Sequence, residues 1–227
     1  MKKGFTLAEV LVTIGIIGVV SALTLPALNT NFRKQQAEVA YAKAVNMFTT
    51  ANKLLLNDTQ TRTLDVATGA DPADNDYGAS VAYIRAIAPY LNATSGINER
   101  TEIYHFNLTG LDSTISEKSN NYYITKGGEM SFFPRGAFIP GYYEIFIDVN
   151  GPNKAPNAIG RDVFLFVVDR RTGDIYGYGT TQLAVFREGG SQEHDNSDNG
   201  CNEDNVNHDW ACGGSIMDHG GKIIYKF

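Results

Sequence analysis

The chain is poor in cysteine, histidine and basic charge. Two cysteines, four histidines and a single tryptophan rule out a disulfide-built scaffold and leave little material for a zinc centre of closely paired ligands. Nineteen Lys and Arg stand against 25 Asp and Glu, for a formal net charge of −6. No basic run is present, so a generic electrostatic grip on DNA is disfavoured and no nucleic-acid partner is expected. There is also no Gly-rich phosphate loop and no histidine next to a plausible nucleophile, and the chain reads as a non-enzyme. What is present, 227 residues with 43% apolar content, suffices for one real core plus an appendage. Cys201 and Cys212, with ten residues between them in a polar, Gly-rich tract, suit one disulfide in an oxidising compartment.

The N-terminus carries most of the information. Lys2 and Lys3 precede about 24 mostly apolar residues from Phe5 to Leu28, with no further Lys or Arg until Arg33. At 1.5 Å per residue that is roughly 36 Å of helix, enough to span a bilayer. The flanking charges predict a single-pass anchor with a cytoplasmic N-terminus. Within the span Glu9 is out of place, since a carboxylate near the bilayer centre costs roughly 2.5 to 3.5 kcal/mol, less towards the edge. Its natural partner is a positive charge at similar depth, and no side chain supplies one. Cleavage between Gly4 and Phe5 would create an α-amine able to meet Glu9 of the same or a neighbouring chain. An ordinary signal peptide cut near Val20-Ser21-Ala22 and a plain anchor are the competing readings. A carboxylate inside the apolar segment speaks against the first.

The run Lys-Lys-Gly-Phe-Thr-Leu-Ala-Glu-Val-Leu-Val-Thr, Lys2 to Thr13, resembles the processing site of type IV prepilins and of type II secretion pseudopilins. The resemblance covers about the first 30 residues. It implies removal of a leader (residues 1–4) by a prepilin peptidase after Gly4, N-methylation of Phe5, and Glu9 as the carboxylate that meets a neighbour's N-terminus during assembly. It places Pro26 at the family's helix kink. The implied partners are other pilin or pseudopilin subunits, the prepilin peptidase/methyltransferase and an inner-membrane assembly platform. The implied role is a structural filament subunit held in the inner membrane, its head periplasmic. A minor pilin acting as adhesin or DNA-uptake module at a filament tip is the alternative, and an enzyme tethered by the same signal is a third.

Beyond Pro26, Ala37, Tyr41, Ala44, Phe48, Ala51 and Leu55 recur at steps of four and three. This is one apolar stripe of a helix, so residues 29–57 are expected to form an amphipathic stalk continuous with the membrane segment, residues 5–28. A head of residues 58–227 follows. Thr59 to Asp76 reads as a surface loop and Tyr77 to Leu91 as a second helix. Strands are expected at Ile103 to Leu108, Tyr122 to Thr125, Glu129 to Phe133, Tyr142 to Val149, Val163 to Asp169, Asp174 to Tyr178, Gln182 to Phe186 and Ile223 to Phe227. Gly127-Gly128 and Thr172-Gly173 look like hairpin turns. The fold class is α+β, which is also what the pilin resemblance implies, with an antiparallel sheet laid on the second half of the long helix.

Two tracts could carry chemistry. The loop between two strong strands, Asp148 to Asp162, offers Asp148, Asn150, Asn153, Asn157 and Asp162 as oxygen ligands for calcium. Its Asn-Gly and two prolines equally describe a metal-free turn. Major pseudopilins hold calcium in a loop of their C-terminal sheet, although this loop departs from their ligand pattern. The tract Ser191 to Cys212 holds His194, His208, both cysteines and six Asp or Glu, without the paired spacing of a zinc site. Asp195 to Gly200 resembles the opening of an EF-hand loop, but Val206 stands where a bidentate Glu is needed. It is read as a solvated loop closed by Cys201 and Cys212, with Trp210 packed beneath it. Pilins commonly carry such a loop.

Overall fold

The long helix follows from an unbroken run of apolar and helix-favouring residues. In the computed structural model, α1 spans Leu7–Thr59, 53 residues, assigned without interruption across Pro26. It ends where Gln60 turns left-handed (φ 54°) and Thr61 N–H returns to the Leu56 carbonyl at 3.1 Å, a C-terminal wrap that satisfies a last-turn carbonyl. The residues described are 4, 6–69, 77–95, 101–107, 110–117, 122–136, 139–154, 156–183, 201 and 209–225. They divide into two compact units, Met1–Gln36 and Ala37–Phe227. In the first, every large apolar side chain from Leu7 to Leu28 is exposed. Among the described residues α1 is the one helix long and apolar enough to cross a membrane.

In the second unit the expected stripe is the buried one. Ala37, Tyr41, Ala44, Phe48, Ala51 and Leu55 all lie in the main core. Around them come α2 (Leu64–Thr68), α3 (Tyr77–Ile87) with a 3-10 turn at Ala88–Leu91, and a six-stranded sheet. Its strands are β1 (Ala93–Ser95), β4 (Tyr123–Thr125), β5 (Ser131–Pro134), β6 (Tyr142–Asp148), β7 (Val163–Asp169) and β8 (Ile175–Gly177). They lie in the order β1-β4-β5-β6-β7-β8, each pair antiparallel. β2 (Thr101–Asn107) and β3 (Gly110–Glu117) form a separate antiparallel hairpin. The arrangement is α+β and pilin-like. β6 and β7 read as nearly continuous apolar runs because both faces of the sheet are covered. Tyr143, Ile145, Ile147, Phe164 and Phe166 point to the helices, while Phe146, Val163, Leu165 and Val167 join Ile159, Tyr178 and Trp210 in a second core.

Three expectations are corrected. The 59–76 loop contains α2, because Leu64 is fully buried and Asp65 is tied to Arg170 and to the Tyr143 hydroxyl at 2.9 Å. The C-terminal segment Ile223 to Tyr225 is not a strand: Ile223 N–H goes to the Glu38 carboxylate at 3.0 Å instead of a ladder, and residues 226 and 227 lie outside the described residues. Gln182 and Leu183 sit in a turn, with the rest of that expected strand also outside. The structure adds β1, β3 and α4 (Cys212–Asp218), which the sequence reading lacked.

Phe48 gives a direct test of the stripe. It is fully buried and meets Phe132 edge-on, ring centroids 5.3 Å apart. Phe48→Ala should lower the unfolding free energy of the head by about 3 to 5 kcal/mol, read as a shifted denaturant midpoint at unchanged slope.

Candidate functional site

The loop between β6 and β7 gathers four of its five candidate ligands. Asp148, fully buried, accepts the N–H groups of Asn150 at 3.1 Å and Gly151 at 2.9 Å, and the Ser131 hydroxyl lies 3.4 Å away. Asp162, 4% exposed, accepts Ala158 N–H at 2.7 Å, Asn157 N–H at 2.9 Å and the Asn150 amide at 3.1 Å. Asn153 is exposed. Gly151 has to be glycine: its φ is +87° and a Cβ would collide with the Gly128 carbonyl of the β4–β5 turn. Burial, then the nearby Asp162 charge, pushes the Asp148 carboxyl up to about 7, and burial pushes Asp162 up to about 6. The side-chain oxygens of Asn150 and Asn157 are buried without a hydrogen-bond partner. Two buried carboxylates beside two unsatisfied amide oxygens make an all-oxygen anionic donor set, which fits a hard divalent cation and not zinc.

At the other end of the chain, Glu9 lies in the first turn of α1, where the helix dipole favours negative charge. Thr6 and Glu9 form a reciprocal cap. Thr6 N–H and its hydroxyl donate to the Glu9 carboxylate at 2.8 Å and 2.9 Å, and Glu9 N–H donates to the Thr6 hydroxyl oxygen at 3.3 Å. The pair is a capping box. Among the described residues no basic side chain reaches Glu9, so its charge is held by neutral donors alone. Gly4 is exposed with open space where a Cβ would stand, and Phe5 lies outside the described residues. The model of one known family, the prokaryotic N-terminal methylation motif, matches residues 1–25. The chain carries a prepilin-type N-terminal cleavage and methylation signal. That signal supports a type IV pilin-like or pseudopilin subunit without distinguishing the two, and belongs to structural proteins, not enzymes. No curated protein and no solved structure matches the chain. The exposed apolar helix behind the prepilin-type signal is compatible with membrane anchoring.

In the head, Cys201 and Cys212 are joined in a disulfide. Cys212 is buried at the start of α4, its Sγ within 2.9 Å of where a Cβ on Gly160 would be. Trp210 stacks on a guanidinium, with Arg135 Cζ 3.6 Å from the ring centroid, and that guanidinium pairs with Glu144 at 2.9 Å. His194, His208 and the EF-hand-like Asp195 to Gly200 lie outside the described residues. The Arg135–Glu144 pair was not read from the sequence, although a glutamate in the middle of the apolar run Tyr142 to Asp148 was a visible signal.

Proposed function

We propose that the chain is a filament subunit of a type IV pilus or a type II secretion pseudopilus, anchored in the inner membrane with a cytoplasmic N-terminus until assembly. The observation that carries this reading is the prepilin-type signal of residues 1–25 running into an α1 whose large apolar side chains from Leu7 to Leu28 are exposed. Large exposed apolar surface requires a cover, first lipid and then the helices of neighbouring subunits. A peptidase removes residues 1–4, Phe5 is methylated, residues 5–28 occupy the bilayer, residues 29–57 form the stalk and residues 58–227 the head. Thr6 holds the Glu9 carboxylate at the helix start until the amine of a neighbour replaces neutral donors with a cation, a stronger partner in low dielectric. The working chemistry is polymerisation.

Mass spectrometry of the mature N-terminus, from cells with and without the prepilin peptidase, tests this. A chain beginning at methylated Phe5 only when the peptidase is present is expected. A chain that keeps Met1, or begins near Leu23, overturns the assignment.

Calcium in the β6–β7 loop is the second part of the proposal. Asp148 and Asp162 would hold the ion with the amide oxygens of Asn150 and Asn157, and Asn153 would take no part. The ion would supply positive charge to two buried acids and tie β6 to β7.

A further inference from the structure

We propose that Arg33 and Lys34 are a lipid-binding pair: in the mature subunit they hold the phosphates of anionic phospholipids on the head side of the bilayer. The inference rests on the membrane reading of residues 5–28 and adds a partner for the segment that follows them. Arg33 is exposed and Lys34 half-buried, and among the described residues neither is in an ion pair. The nearest acid along α1, Glu38, is committed elsewhere. Its carboxylate takes Lys222 Nζ at 2.9 Å and Ile223 N–H at 3.0 Å. Two adjacent positive charges are thus left for a partner outside the chain. Because the chain as a whole is acidic, attraction to an anionic surface has to come from a local group of this kind.

Depth along the helix selects lipid as that partner. Residues 5–28 give roughly 36 Å of helix against a hydrocarbon core of about 30 Å, so Leu28 falls near the head-side edge of the core. Arg33 and Lys34 follow it by about 8 to 9 Å along the axis, beside a headgroup layer about 5 to 8 Å thick. Their long stems reach back along the interface while the charged ends stay among polar groups. Phe32, 59% exposed, sets an apolar ring at the same boundary, the pairing of apolar and basic groups that suits a membrane surface. A guanidinium also matches a phosphate with two parallel hydrogen bonds. Processing leaves the pair in sole charge of this contact. The precursor has Lys2 and Lys3 on the other flank, and cleavage after Gly4 removes both, so Arg33 and Lys34 become the first basic side chains of the mature chain.

The full mature chain is placed in nanodiscs of equal phosphatidylglycerol and phosphatidylcholine, and the lipids it retains on release are counted by native mass spectrometry. A Lys or Arg beside an anionic surface contributes about a fivefold preference, so the expected result is phosphatidylglycerol retained over phosphatidylcholine by tenfold or more. Arg33→Gln with Lys34→Gln should bring the ratio close to one at unchanged circular dichroism. Lys43→Gln, which removes an exposed lysine further along α1 that already pairs with Glu129, should leave the preference intact. No preference in the unaltered chain overturns the proposal, and so does an equal preference in the double variant, because another surface then holds the lipid. Loss of self-association in the double variant with the lipid ratio unchanged also overturns it, and assigns the pair to an acidic face of a second copy. A mature chain that alkaline extraction strips from vesicles fails the membrane reading and takes the lipid pair with it, whereas a chain that stays embedded without the preference fails the lipid pair alone.

Discussion

A Glu9→Leu chain should be inserted, cleaved and methylated as before, and should then accumulate in the membrane unassembled, with sheared filament yield down by more than about tenfold. The magnitude follows from what a buried charge pair contributes: measured couplings between close opposite charges at interfaces reach about 1.5 to 7 kcal/mol, and 1.4 kcal/mol is already a factor of ten in an equilibrium. Insertion itself should not suffer, because the substitution removes a charge that hydrocarbon disfavours by roughly 2.5 to 3.5 kcal/mol near the bilayer centre. Glu9→Gln separates the cap from the charge. Its amide oxygen can still accept from Thr6, which holds the carboxylate at 2.8 Å, but it offers a neighbour's amine no anion, so it should fail in assembly nearly as badly as leucine. Thr6→Val removes the side-chain half of the cap and leaves the charge, and should assemble far better than either. N-terminal mass spectrometry on the same membranes separates failed processing from failed assembly, and normal filament yield from Glu9→Gln would remove the charge pair from the mechanism.

The parts of the fold legible in the sequence are those whose signal is local. The stripe from Ala37 to Leu55 is a 3.6-residue period, and all six of its members are buried; Val163–Asp169 is an apolar run bounded by polar turns, and it is β7. The parts that escaped depend on residues far away in the chain. α2 exists because Leu64 fills the core and Asp65 finds Arg170, 105 positions later. Ile223 looks like a strand residue by type, yet its N–H is taken by Glu38, 185 residues earlier. α4 begins in a Cys-Gly-Gly sequence that no propensity favours, and it forms because glycines let its backbone press against β8. At the N-terminus the carboxylate at Glu9 was conspicuous by its setting, and Thr6-Leu-Ala-Glu9 also spells a capping box, so Thr6 was within reach of the same reading. Arg135 and Trp210 were not, since nothing short of the folded sheet brings them to Glu144.

Calcium should raise the melting temperature of the head far more at pH 7.5 than at pH 5, and the reason lies in the protons that Asp148 and Asp162 hold. In an unfolded chain both carboxyls titrate near 4, whereas in the folded head burial lifts Asp148 to about 7 and Asp162 to about 6. Between roughly pH 4 and pH 7 the folded state therefore binds more protons than the unfolded one, and stability must fall as pH rises through that window, levelling off above it. The cation-free penalty at neutral pH is several kcal/mol, because each unit of the two upward shifts costs about 1.36 kcal/mol. A divalent cation relieves it by replacing the protons. It should add most where the acids are ionised and little where protons already occupy them. Calorimetric scans at the two pH values, with calcium and with a chelator, read this directly. Asp162→Asn lowers the charge and keeps one acceptor oxygen, enough for Ala158 N–H but not also for Asn157 N–H and the Asn150 amide, which use the other carboxylate oxygen, and should flatten the pH dependence and abolish the calcium shift together. A calcium shift of equal size at both pH values would place any bound ion elsewhere on the molecule.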